Sequence, residues 1–286
     1  MTRMTRLIGI GSASAILALG ALAAEAGRNP GTDGFAVYED WSTSDDIRGD
    51  RWRGAATSAQ DTIKEQKGRH AHLRLRREGS NTSNTTVAIA ELTLGAANPL
   101  EINRLEIDTV VKSLELVACP ANPIASAGLP VQVSLNTFND GTPRPAGDAT
   151  GDHFGLVRLF RASASTDPPG ALQVHLEILR CDNPNCSATH LIPGGFVALP
   201  TLVYVGDKVR LRLIWDDVNG RFVGGVNNDP DVPLAYPVGL NQGPSRVPFA
   251  NISMVGSAVS CVGQAGVVDA DVEIGVVRTN PEAVIQ

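Results

Sequence analysis

Apolar and polar residues alternate along most of the chain. A period of two indicates β-strands that have one buried and one wetter face. No amphipathic helical pattern follows the first 26 residues, and no internal repeat or long linker divides residues 27–286. The pattern therefore predicts one all-β domain, an antiparallel β-sandwich of the jelly-roll type. The clearest alternating segments are 73–76, 131–135, 172–178, 209–215 and 272–276, and turn-forming residues occupy 139–141, 167–170, 193–195, 218–221 and 228–230.

The N-terminal segment 1–26 has the pattern of a signal peptide. Arg3 and Arg6 form a short positive head, residues 7–24 carry no charge, and the stretch ends in Ala24-Glu25-Ala26. Small residues at that spacing match a signal-peptidase site, although an uncleaved membrane anchor is the alternative. No other stretch approaches the roughly 18 apolar residues of a membrane span. We expect a secreted or periplasmic protein with no membrane insertion after cleavage.

The charge balance argues against one class of partner. The chain has 24 Lys and Arg residues against 30 Asp and Glu residues, for a formal net charge of -6. Affinity for nucleic acid comes from clustered cations that contact phosphates. An acidic exported chain is therefore not expected to bind nucleic acid.

Four cysteines in an exported chain indicate two disulfides. They are Cys119, Cys181, Cys186 and Cys261, and three pairings are possible. The segment between Cys181 and Cys186 contains Asn-Pro, which is typical of a turn. This favours a short Cys181–Cys186 bridge and a long Cys119–Cys261 bridge. The spacings are not those of a zinc site, which would pair its cysteines more closely.

Several segments resemble the concanavalin A-like lectin/glucanase superfamily, over roughly residues 38–277. The resemblance implies a jelly-roll sandwich that presents one curved sheet to extended polymers. More narrowly, the chain resembles a group of secreted bacterial proteins of this fold. The segments that carry the broader resemblance are Asp40–Trp52, Gly68–Arg76, Val205–Trp215 and Ala270–Val276, and those that carry the narrower one are 139–143, 167–170, 180–186 and 247–249.

Glu106 and Asp108 are the candidate catalytic residues. They resemble the first two carboxylates of the E-x-D-x-E pattern of laminarinase-like hydrolases, in which carboxylates on one strand act as nucleophile and acid/base. The third position falls on Val110, or on Val111 in a bulged register. Without that proton donor the leaving group is not protonated. We therefore expect no hydrolase activity.

The candidate ligand-binding residues are aromatic or basic. Tyr38, Tyr204 and Tyr236 could supply an aromatic platform, and Arg74 and Arg76 could bind acidic sugars from an outward strand face. Only 5% of the residues are aromatic, so few rings are available for stacking. Any glycan binding is therefore expected to be weak.

A structural calcium ion is the one cofactor that the resemblance implies, because related sandwiches join their first and last strands through such an ion. Calcium takes six to eight oxygen ligands. The residues at matching places are Glu39, Asp40, Asp269 and Asp271.

These observations favour a secreted, non-catalytic lectin-like module that binds a glycan or another cell-surface component. One alternative is a structural or protein-interaction module of the cell envelope. The other is a divergent laminarinase-like glycoside hydrolase. An exposed aromatic groove would favour sugar binding, whereas a groove with paired carboxylates would favour hydrolysis.

Overall fold

The structure is a computed structural model that describes residues 34–43, 46–54, 62–79, 86–95, 97–122 and 124–283. The segment predicted as a signal peptide lies outside the described residues. Within those residues, no helix is long and apolar enough to cross a membrane. The described part instead consists of β-strands and one short 3-10 turn, Pro281–Ala283. In chain order the strands are β1 (Ala36–Glu39), β2 (Trp52–Arg53), β3 (Thr62–Lys67), β4 (His70–Glu78), β5 (Thr86–Leu94), β6 (Arg104–Val117), β7 (Ala127–Asn139), β8 (Asp152–Ala162), β9 (Ala171–Cys181), β10 (Thr189–Tyr204), β11 (Lys208–Asp216), β12 (Arg221–Val226), β13 (Val232–Ala235), β14 (Pro244–Ala258), β15 (Ser260–Cys261), β16 (Gln264–Ala265) and β17 (Val267–Thr279).

Two antiparallel sheets form the sandwich. The first sheet has the order β13-β12-β11-β6-β17-β4-β3, and β1 also pairs with β17. The second sheet has the order β10-β9-β8-β7-β14-β5-β2, and β15 and β16 form a separate hairpin. The expected all-β antiparallel sandwich is confirmed. Neighbours in each sheet are often far apart in sequence, so residues from distant segments share a face.

One core fills the space between the two sheets. Ile107 and Leu211 from the first sheet and Val133 and Leu176 from the second are fully buried in the same cluster. They occupy the apolar phase of the alternating segments, because a strand directs successive side chains to opposite faces. The polar phase of each strand therefore forms an outer face on each sheet. The candidate sites lie on these two outer faces.

The strand pattern is wrong in two places. The segment Pro193–Gly195, read as a turn, lies within β10, where the register with β9 shifts between Leu191 and Phe196. In β17 the register with β6 shifts between Ile274 and Val277, so that Val277 is buried in place of Val276. Both are bulges, which insert extra residues and reverse the inward phase. The inward phase predicted from the alternating pattern therefore holds only as far as each bulge.

The structure joins Cys119 to Cys261 and Cys181 to Cys186. These are the pairs that the sequence favours. The first bridge connects the segment after β6 to the β15–β16 hairpin. The second closes the turn after β9, where the Gly151 amide donates to the Cys181 carbonyl. Together the bridges fix loops at strand ends rather than the sheets themselves.

Candidate functional site

Glu106 and Asp108 lie on the outer face of the first sheet, on β6, and arginines hold both. The Glu106 side chain is only 3% exposed, and Arg278 Nη1 lies 3.0 Å from its Oε1. Arg278 Nη2 and Arg210 Nε each donate to Asp108 at 2.8 Å. Arg212 approaches Glu106 from the other side at 3.4 Å. Instead of a solvated face, β6 therefore carries two ion-paired carboxylates.

This arrangement opposes proton donation. Burial would raise the pKa of Asp108, but hydrogen bonds from Arg278 and Arg210 outweigh it, and the pKa is lowered. A general acid of a glycosidase needs a raised pKa, because it must hold a proton near neutral pH. Asp108 is therefore fixed in its ionised form by its neighbours. The two carboxylates fit a structural role across β11, β6 and β17.

Two of the three tyrosines predicted as a platform are buried, which corrects that prediction. Tyr38 is 1% exposed, and its hydroxyl donates to the Arg51 carbonyl. Tyr236 is 8% exposed and packs on the Phe138 ring, with the centroids 4.7 Å apart. Burial of these rings in the core removes them from any ligand surface. Tyr204 remains, 41% exposed on β10.

Arg74 and Arg76 lie on the outer face of β4 and share one carboxylate. Each places a guanidinium nitrogen 3.1 Å from Asp269 Oδ2. Arg76 also pairs with Glu78 at 2.8 Å. An acidic sugar would have to compete with these carboxylates for both arginines.

The four residues matched to a calcium site are not brought together. Glu39 lies opposite Val277 on β17, whereas Asp271 is six residues further along that strand, or about 20 Å away. Asp269 instead accepts from Arg74, and Asp271 Oδ1 lies 2.7 Å from His72 Nε2. The described residues contain no group of three or more His, Cys, Asp or Glu placed to hold a metal ion.

The oxygens around β1 do not complete such a site. Glu39 Oε1 accepts from the Asp40 and Trp41 amides, and Asp40 Oδ1 accepts from Ser42. Glu39 Oε2 is buried without a partner among the described residues. One free oxygen is far short of six to eight ligands, so these residues do not fit the ion.

The second sheet presents a different kind of outer face at β8, β9 and β10. The His175 imidazole lies between two rings, with centroid distances of 5.1 Å to Phe160 and 5.0 Å to Phe196. Phe196 is 46% exposed although it is a large apolar residue on an edge strand. It stands directly opposite Glu177 in the register of β10 and β9. Aromatic and ionisable side chains therefore share one surface.

A chain of polar contacts crosses this surface. Gln173 Nε2 donates to Asp167 at 2.8 Å, and Gln173 Oε1 lies 3.0 Å from His175 Nε2. His175 Nδ1 is 3.5 Å from Glu177 Oε1, and Arg158 Nη2 is 2.5 Å from the same oxygen. Burial lowers the pKa of Arg158, against the opposing effect of Glu177. Hydrogen bonds hold Gln173 to Asp167 and to His175, whereas Arg158 and His175 approach Glu177 as ion pairs, so this surface is largely arranged before a ligand binds.

Three members of the chain keep unsatisfied hydrogen-bonding capacity. Arg158 Nε, His175 Nδ1 and Glu177 Oε1 are buried and have no hydrogen-bond partner among the described residues. The Arg158 guanidinium also lies over the Phe160 ring, 5.8 Å from the centroid. We call Arg158, Phe160, Gln173, His175, Glu177 and Phe196 the β8–β10 site. It combines exposed ring surface with fixed hydrogen-bonding groups, a mixture typical of small-ligand sites.

Sequence reasoning missed this site for a specific reason. Gln173, His175 and Glu177 alternate with the apolar positions of β9 and look like an ordinary wet face. The phenylalanines that flank them come from β8 and β10. Only their pairing with β9 brings the rings to the polar residues. The sequence signal that could have indicated this site is Phe160, an aromatic residue at a position of β8 where the alternation predicts a polar side chain.

The carboxylates on this outer face are not spaced for glycoside hydrolysis. Glu91 on β5 faces the same side as Glu177 on β9, but β14, β7 and β8 lie between them. Four strand spacings amount to about 19 Å. Paired glycosidase carboxylates lie about 5 to 9.5 Å apart. Glu177 and Glu91 therefore cannot act on one bond.

Comparisons with solved structures find similar architectures at low identity. LamAcat from Zobellia galactanivorans is 9% identical with a TM-score of 0.42, over 83% of this chain and 95% of that one. The catalytic domain of a laminarinase from Thermotoga petrophila is 10% identical with a TM-score of 0.43, over 86% and 95%. A glycoside hydrolase family 16 endo-glucanase from Bacteroides ovatus is 10% identical with a TM-score of 0.41, over 82% and 98%. Similarity at this level carries no argument about activity. No protein-family model and no curated protein matches the chain.

Proposed function

We propose that this protein is a non-catalytic glycan-binding module that works outside the cytoplasm. The observation that carries the proposal is Phe196, an exposed ring beside the buried contacts of His175, Glu177 and Arg158. A ring of this kind packs on the apolar face of a sugar, and fixed polar groups hydrogen-bond its hydroxyls. The two disulfides support an oxidising compartment.

The expected affinity is low. Phe196 and Tyr204 are the large exposed rings of β10, and Phe160 is half-buried. Stacking on one or two rings contributes roughly 1–3 kcal/mol each, by analogy with aromatic platforms for bases. A single site should therefore bind with Kd on the order of 0.1–1 mM, or about 4–5.5 kcal/mol. Tight attachment would require several copies on one surface.

Binding without hydrolysis follows from the placement of the carboxylates. Glu106 and Asp108 are held by arginines. Glu177 and Glu91, on the outer face of the second sheet, are about 19 Å apart. The first pair is occupied by arginines, and the second is too widely separated to act on one glycosidic bond. We infer that bound sugar leaves the site unchanged.

The first test is a glycan array with the purified protein, followed by titration calorimetry of each glycan that binds. Phe196→Ala should weaken binding by about tenfold, because the stacking ring is lost. The matched control is Val87→Ala, which removes an apolar side chain that is 48% exposed on β5, at the opposite part of the same sheet. Its affinity should equal that of the wild type.

Two outcomes would contradict the proposal. One is an absence of binding to every glycan at millimolar concentration together with capture of a protein partner, which would favour the interaction-module alternative. The other is release of reducing sugar from laminarin by the wild type and its loss in Glu106→Gln, which would indicate a hydrolase. If Phe196→Ala and the wild type bound the glycan with equal affinity, the glycan site would not be at β10.

A further inference from the structure

A cavity of about 840 Å³ lies on the first sheet and shares no lining residue with the β8–β10 site. Its floor includes Val110 on β6 and Gly275 on β17. Arg69, in the turn between β3 and β4, lines one part. Lys208, the first residue of β11, and Asn227, directly after β12, line another. A cavity of this volume can hold an oligosaccharide-sized molecule, since ligand sites usually measure about 300–1,000 Å³.

The carboxylates of the cavity already have partners. Asp108 accepts from Arg210 and Arg278 at 2.8 Å each. Glu273 pairs with Lys112 at 3.4 Å. Asp40 accepts from the Ser42 hydroxyl and amide. Their negative charges are therefore compensated or hydrogen-bonded within the protein.

Several donors of the cavity form no ion pair. Lys208 and Arg69 line it as exposed cations, and neither is paired with a carboxylate in the described part of the chain, although the charge of Arg69 contributes to the lowered pKa of Asp40. Asn227 uses its Oδ1 to accept from the Arg210 amide, which leaves its Nδ2 available beside Asn228. Donors that form no ion pair therefore come from both sides of one cavity, in a protein whose formal net charge is -6.

The backbone around the cavity is held in unusual conformations. Asn227 has φ 52°, and Trp41, next to the lining residue Asp40, has φ 57°. Trp41 Nε1 donates to the Gly275 carbonyl at 2.6 Å, within the bulge of β17. Residues other than glycine adopt positive φ at a cost, and such residues cluster at ligand sites. The contacts from Trp41 and Asn227 shape the cavity before any ligand arrives.

We propose that this cavity binds an acidic saccharide, in which separate carboxylate or sulfate groups pair with Lys208 at one end and with Arg69 at the other. The side-chain amides of Asn227 and Asn228 donate to its remaining oxygens, and Val110 contacts its apolar surface. Charged hydrogen bonds are stronger than neutral ones and require an anionic acceptor. A neutral sugar of the same length leaves both cations unpaired and binds more weakly. The inference does not depend on the β8–β10 site.

The test is titration calorimetry of the purified protein with four probes. They are trigalacturonate, a sulfated trisaccharide, neutral maltotriose and inorganic sulfate. We expect saturable binding of at least one acidic trisaccharide, at least tenfold tighter than maltotriose and weakened by added salt. The carboxylated and sulfated probes show which anionic group the cavity prefers. Inorganic sulfate tests the anion alone.

Variants locate the binding and give effects in opposite directions. Lys208→Ala and Arg69→Ala should each weaken it by about tenfold, through loss of a charged donor. Asp40→Asn should tighten it by about threefold, because a carboxylate no longer repels the ligand. Damage to the fold would not tighten binding. The control Lys67→Ala removes an exposed cation at the end of β3, close in sequence to Arg69, that pairs with Glu65 and does not line the cavity. It should match the wild type.

The proposal is overturned if no acidic trisaccharide saturates the protein at about 10 mM, or if maltotriose binds equally well. It is also overturned if Lys208→Ala and Arg69→Ala bind as the wild type does. Equal affinity for inorganic sulfate and for the acidic saccharides would reduce the site to a simple anion site. Phe196→Ala should leave this binding unchanged, which separates failure here from failure of the β8–β10 site.

Discussion

At the scale of single residues, His153 shows how burial changes the chemistry of a side chain. Its imidazole stacks on Phe138, with the centroids 5.1 Å apart and the planes at 10°. Its Nδ1 is buried and has no partner among the described residues. Burial lowers the pKa of His153 from 6.5 to about 4, mainly because the charged form loses its hydration. The ring is therefore neutral in the folded protein near neutral pH.

The free energy of unfolding should decrease as the pH is lowered through the range in which the unfolded chain protonates His153 and the folded protein does not. The unfolded chain takes up the proton below pH 6.5, whereas the folded chain takes it up only near pH 4. The free energy of unfolding should therefore drop by about 2 kcal/mol between about pH 7 and pH 5 through this residue. His153→Phe keeps a stacked ring and should remove that part of the pH dependence. Urea unfolding at both pH values measures it.

The control for this prediction is His70→Gln, which changes an exposed histidine. Its pH dependence should follow that of the wild type. If the free energy of unfolding changes with pH equally in His153→Phe and in the wild type, the histidine is protonated without cost in the folded state.

At the scale of elements, the two sheets fit together through local matches of size. Gly155 on β8 faces Phe222 on β12 across the core. A Cβ at Gly155 would lie 2.3 Å from the Phe222 ring, which is far inside van der Waals contact. Both residues lie in β-strands, so the ring has little freedom to move. The glycine therefore determines how closely β8 and β12 approach.

Gly155→Ala should lower the free energy of unfolding by about 1–3 kcal/mol, because an added methyl group overpacks the core. Phe222→Leu in the same chain should recover part of this loss, since the smaller side chain leaves space for the methyl group. The double-mutant cycle measures that coupling. Gly49→Ala is the control, because no atom lies within 4 Å of its added Cβ. If Gly155→Ala and Gly49→Ala changed the free energy of unfolding equally, the close packing of Gly155 on Phe222 would be contradicted.

At the scale of the whole molecule, the two disulfides close loops of very different length. Cys119 and Cys261 are separated by 142 positions, and Cys181 and Cys186 by 5. In the chain-entropy account, a longer closed loop restricts the unfolded chain more. The long bridge also links the end of β6 in the first sheet to the hairpin that follows β14 of the second.

Replacing both members of a bridge with alanine should reveal the difference. Loss of Cys119–Cys261 should lower the free energy of unfolding by about 5 kcal/mol, and loss of Cys181–Cys186 by about 2 kcal/mol. Chemical denaturation of the two double variants under oxidising conditions measures both values. A short bridge that contributes as much as the long one would contradict the entropic account for this protein.

The sequence by itself determined the class of the fold, since alternation is a local property that each strand carries alone. The inward phases of β4, β7, β9 and β11 could all be predicted in this way, and only bulges such as that in β17 interrupted it. The paired cysteines followed from turn chemistry and elimination. These features need no knowledge of which strands become neighbours.

Only the tertiary structure decided which side chains meet. Glu106 is held by Arg212 and Arg278, which are 106 and 172 positions away, and no local pattern encodes those pairs. Tyr236 is a residue type that often forms ligand platforms, yet it lies in the core. Phe196 is a residue type that usually lies in the core, yet it is exposed. The physical reason is the order of strands in each sheet. That order results from burying both inner faces at once, and it places charges and rings from distant segments on one surface.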